Sequence, residues 1–84
     1  MNLEQFISKI NTRQDLISFV KALKKDLKEN PNEWENHSLE HYLDSIAGWL
    51  EDMDGYYKNL GQAVPNSKDW KLFADILLAG KSYE

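Results

Sequence analysis

Between Leu39 and Leu60 the apolar residues of LEHYLDSIAGWLEDMDGYYKNL recur at helical spacing, and no other stretch restricts the fold as tightly. At about 100° per residue, Leu39, Tyr42, Leu43, Ile46, Leu50, Met53, Tyr57 and Leu60 share one face. Glu40, His41, Asp44, Ser45, Glu51, Asp52, Lys58 and Asn59 share the other. A helix of this length extends about 33 Å, enough to cross a small domain. Every other apolar segment is shorter. The expectation is an all-α chain in which about four helices form a compact bundle around this long central one.

The flanking segments read as helices too. Asn2 is a candidate N-cap for a short first helix with Leu3, Phe6, Ile7 and Ile10 at helical spacing. So short a helix is marginal alone in water and must dock on something. Thr12 and Asp15 stand at the spacing of a capping box, with the shorter acid in place of Glu. The second helix is therefore expected from about Arg13 to Glu29. Leu16, Val20, Leu23 and Leu27 form its apolar stripe, widened by Phe19. Lys24, Lys25 and Lys28 lie in its last turns, where positive charge suits the helix dipole, and Asn30-Pro31 stops it.

Trp34, between Glu33 and Glu35 in the connection, is expected to fold back as an anchor on the core; a partner-facing indole is the alternative. Asn36 or Ser38 can cap the long helix, and Gly61 can close it at C′. Asp54-Gly55 leaves open a kink or break in its second half. Ser67, helped by Asp69, is the expected cap of a last helix. There Trp70, Phe73, Ala74 and Leu77 make one apolar face, and Leu72, Ile76 and Tyr83 line up nearly opposite. A helix apolar over so wide an arc is expected to lie between neighbours, the alternative being a homodimer closed by Leu72, Ile76 and Tyr83.

Eighty-four residues make one helical domain, 1–84, near the lower limit for an autonomous core. Without cysteine, neither disulfides nor thiolate metal sites can support it. Its ten aromatic residues are the large contributors, each able to bury on the order of 150–250 Å². No run of about 20 apolar residues is present to span a membrane. MNLEQFISKI lacks the basic start and apolar centre of a signal peptide, so a cytoplasmic location is expected. The formal charge of −4 argues against nucleic acid and suits a basic protein partner.

The stretches that resemble chemistry are incomplete. His37-Ser38-Leu39-Glu40-His41 is formally H-x-x-E-H, in which two His one turn apart hold zinc and the Glu acts as base. Catalytic zinc needs a third protein ligand and a cleft, and the chain has no further His. Asp52-Met53-Asp54-Gly55 resembles the start of a calcium loop, but the Gly is too early and position 63 is Ala where the last ligand belongs. Asp54, at the edge of the apolar face, is expected to accept a hydrogen bond from a Trp N–H or a neighbouring helix start. Lys21, Lys24, Lys25 and Lys28 read as a solvated face. No phosphate loop or nucleophile motif is present, so the expectation is no enzyme, no cofactor and no bound metal.

The acidic residues point elsewhere. Glu33, Glu35, Glu40, Asp44, Glu51 and Asp52 crowd residues 33–52, opposed only by the two His. Glu40, Asp44, Glu51 and Asp52, with Trp49 and Tyr56 two turns apart on one flank, form the candidate binding surface. Tyr and Trp dominate binding hot spots, and charge speeds association. The leading expectation is a non-catalytic protein-binding module.

Two resemblances bear on this. The string W-E-N-x-x-L-x-x-Y-L (Trp34 to Leu43), then W-L-E-D-M-D-G-Y-Y (Trp49 to Tyr57), then W-x-L-F-A-D-I-L-L-A…Y-E (Trp70 to Glu84) resembles a family of short bacterial proteins of unknown function. The likeness covers about the last 55 residues. It implies a shared fold and supplies no activity. Leu16…Leu23-Lys24-Lys25-Asp26-Leu27, a Pro turn, then Leu39-Glu40, Asp44 and Gly48-Trp49 are similar to the two inhibitor helices of the barstar family. That likeness implies an inhibitor or immunity role, with Glu40 and Asp44 facing a basic enzyme cleft. The barstar family builds on a parallel sheet, and this chain offers no strand pattern.

Overall fold

A computed structural model describes residues 2–65 and 69–83. Among these residues four α-helices follow one another, α1 (Leu3–Ile7), α2 (Arg13–Glu29), α3 (Leu39–Asn59) and α4 (Trp70–Ala79), with a 3₁₀ turn at Pro31–Glu33. Among the described residues there is no strand, so the chain is all-α and has no counterpart of the barstar sheet.

The helix starts are set by local side-chain chemistry. Asn2 Oδ1 accepts from the Gln5 N–H at 2.8 Å, and the Asn2 N–H donates back to Gln5 Oε1 at 3.1 Å. Thr12 Oγ1 accepts from the Asp15 N–H at 3.0 Å, while Asp15 Oδ2 accepts from the N–H groups of Thr12 at 3.1 Å and Asn11 at 3.0 Å. Each reciprocal pair satisfies donors that the helix itself leaves unbonded. The Asn11 N–H, followed by the Thr12 side chain, stabilises the charged form of Asp15 and holds its carboxyl below the usual value. Ser38 Oγ caps α3 by accepting from the His41 N–H at 3.1 Å. Ser67, the cap expected for α4, lies outside the described residues.

At the other end of α3 the Gln62 N–H donates to the Tyr57 carbonyl at 2.9 Å and the Gly61 N–H to that of Lys58 at 3.0 Å. With Gly61 at φ +68°, this is a Schellman closure. Between its caps α3 runs unbroken through Gly48 and Gly55. The bend left open at Asp54-Gly55 does not occur, because a single helical Gly costs only about 1 kcal/mol against Ala.

The described residues fall into two units, one ending at Ala47 and the other starting at Gly48. In the first, α1 docks on α2 through Phe6 and Phe19, whose rings meet edge to face at 5.6 Å. The chain then reverses after Pro31, and Trp34 joins α2 to α3. Its Nε1–H donates to Asp26 Oδ2 at 2.8 Å, and its ring stacks on Tyr42 at 6.2 Å and 27°. Asp26 Oδ1 also accepts from Asn30 Nδ2 at 3.0 Å. Trp34 is thus the anchor that its polar setting suggested, with Asp26 as its acceptor. Asp54, expected to accept from a Trp N–H or a neighbouring helix start, is exposed.

In the second unit Met53 is buried, the one such residue among those described. Trp49, Tyr56 and Tyr57 stand one turn to either side of it. Along α3 the apolar face is covered unevenly: Tyr42, Ile46 and Tyr57 are half-buried, while Leu39, Leu43, Leu50 and Leu60 are exposed. Every described residue of α4 is exposed. That helix ends at Ala79, so Tyr83 does not continue the Leu72–Ile76 stripe.

Candidate functional site

Of the six residues singled out on α3, Glu40 and Asp44 belong to the first unit and Trp49, Glu51, Asp52 and Tyr56 to the second. Glu40 sits in the first turn of α3, where a carboxylate suits the helix N-terminus, and Asp44 follows one turn later. Both are exposed.

In the second unit the aromatic residues form a cluster. Trp49 and Tyr56 meet edge to face at 5.5 Å and 60°, and Tyr57 closes the group at 6.2 Å from Trp49 and 5.1 Å from Tyr56. Each ring is braced by the other two. Trp49 is still 45% exposed and Tyr56 49%. Both are large side chains held in place by the neighbouring rings.

Helical geometry separates the acids beside them. Asp52 lies about 40–60° around the helix from Trp49 and Tyr56, whereas Glu51 lies about 140–160° away. Asp52 therefore borders the aromatic flank and Glu51 points to the far side of α3. The pairing of adjacent acids in sequence hid this division, although the spacing of residues 49, 52 and 56 carries it.

Among the described residues no group of three or more His, Cys, Asp or Glu side chains could hold a metal ion. His37 is one of the residues that line an open groove of about 310 Å³ between α2 and the start of α3. Val20, Leu23, Leu27, Trp34, Leu39 and Tyr42 line it. This groove has no signature in the sequence, because it exists only once Trp34 has folded the chain back onto α2. No helix among the described residues is long and apolar enough to cross a membrane.

Braced, half-exposed aromatics with one flanking carboxylate thus stand on the second half of α3 in a small all-α protein. The chain belongs to the DUF7660 family, a family of unknown function whose model matches residues 12–84. The match opens at Thr12, the N-cap of α2, so α1 lies outside it. No curated protein and no solved structure matches the chain.

Proposed function

We propose that this chain is a non-catalytic protein-binding module for a basic partner, and that inhibition of, or immunity toward, a bacterial protein is its concrete form. The observation that supports this most directly is the Trp49–Tyr56 pair, held at 5.5 Å, half exposed, with Asp52 on the same flank of α3. Preset aromatics supply contact area at small entropic cost. The net charge of −4 draws a cationic protein in from a distance. Glu40 and Asp44 contribute to that long-range attraction. Trp49 and Tyr56 are the anchors.

Affinity capture from the native cell, with Asp52→Lys and Trp49→Ala/Tyr56→Ala chains as controls, tests the reading. The purified captured protein should be basic. Its association with the wild-type chain should slow as salt rises, by roughly tenfold or more between low and physiological ionic strength. Asp52→Lys should slow association, and the aromatic double variant should speed dissociation. A partner that binds all three chains alike, at a salt-independent rate, would overturn the proposal.

A further inference from the structure

Every described residue of α4 is exposed although most of its side chains are apolar; Leu72, Ile76 and Leu78 are 54, 46 and 68% exposed. Contiguous apolar surface of this kind marks a contact site, and the charges on α4 indicate its occupant. Lys71 and Asp75 stand one turn apart on the flank beside Leu72 and Ile76. Suppose a second α4 crosses the first antiparallel, with the two-fold axis level with Phe73. Lys71 then stands level with the partner's Asp75, and Asp75 with the partner's Lys71. The same register seats Leu72 between the partner's Leu72 and the partner's Ile76, alternating along the seam as interdigitating helices require. A parallel two-fold pair would put the two Lys71–Asp75 flanks on opposite sides of the seam, and the reciprocal ion pairs would be lost.

We propose that α4 is a self-association surface, on which two copies of this chain pair antiparallel through Leu72 and Ile76 with reciprocal Lys71–Asp75 ion pairs fixing the register. This surface is separate from the Trp49–Tyr56 flank, so either assignment stands without the other. A helix of ten residues is only about 15 Å long. Such a pair buries less than the roughly 800 Å² per partner of a standard interface, so the dimer is weak and reversible.

Sedimentation velocity on the full chain from about 1 μM to about 1 mM covers the range in which so small an interface fills. The wild-type mass should rise from monomer toward dimer across that range. Lys71→Glu sets like charges at both ends of the seam and should weaken dimerisation by about tenfold. Adding Asp75→Lys to the same chain should restore it, because the exchanged pair is again self-complementary. Leu72→Glu should abolish the dimer. Circular dichroism of each variant checks that helix is retained, and the charge exchange stays informative even where Leu72→Glu unfolds. A wild-type chain that remains monomeric at the highest concentration overturns the proposal, whatever then covers α4. So does a dimer indifferent to both Lys71→Glu and Leu72→Glu.

Discussion

Gly55 and Gly61 respond to alanine with opposite signs, because one is held in a helix and the other beyond its end. At Gly55 a Cβ would meet nothing within 4 Å, and the backbone is already helical. Gly55→Ala should therefore raise stability by about 0.5–1 kcal/mol, mainly by narrowing the unfolded ensemble. Gly61 stands at φ +68°, where a Cβ is strained, so Gly61→Ala should lower stability by about 1 kcal/mol. Urea titration of the two variants reads both signs directly. Asp15 provides the pH-dependent case. Its folded carboxyl titrates below the unfolded value, so its contribution is complete above the ordinary carboxylate range. That contribution is lost as pH falls through the lower, folded value. The stability difference between wild type and Asp15→Asn should thus be flat near neutrality and shrink below about pH 4. A difference that grows on acidification would contradict the cap geometry.

Elements differ in how far local sequence determines them. The bounds of α2 are written in Thr12, Asp15 and Asn30-Pro31, which act within one turn of the helix ends. Ser38 and Gly61 do the same for α3. Asp26 is the counterexample. From sequence it is one more charge on a lysine-rich helix, and its role depends on a chain reversal that brings Trp34 back beside it. The division of Glu51 from Asp52 is intermediate, since it follows from residue spacing once the helix is continuous. Asp26 and Trp34 should be energetically coupled. Asp26→Ala leaves a half-buried indole N–H unpaired and should cost about 1–2 kcal/mol. Trp34→Phe keeps an aromatic face for Tyr42 and should cost about the same. The double variant should cost less than the sum by about 1 kcal/mol, because the second change removes what the first left unpaired. Strict additivity in chemical unfolding would show that the hydrogen bond contributes nothing.

For the whole molecule the question is whether its two units unfold together. The connection between them is α3 itself, which passes from Ala47 to Gly48 without interruption. Melting one half of α3 removes the cap and the turn that closed the other half, and leaves up to four backbone groups unbonded at the new end. The two units should therefore lose structure together. Trp34 reports on the first, and Trp49 and Trp70 on the second. Chains carrying Trp34→Phe, or both Trp49→Phe and Trp70→Phe, should give coincident denaturation curves once corrected for their own stability changes. Gly48→Pro tests the cause. Proline there removes a helical N–H and clashes with the preceding turn, at about 3 kcal/mol or more. If the continuous helix is the coupling device, this variant should separate the Trp34 transition from the Trp49 and Trp70 transition. Gly48→Ala, at a site where a Cβ meets nothing within 4 Å, should leave the curves coincident and shift both to higher denaturant. Curves that stay superimposed in Gly48→Pro would mean that something other than α3 ties the units together.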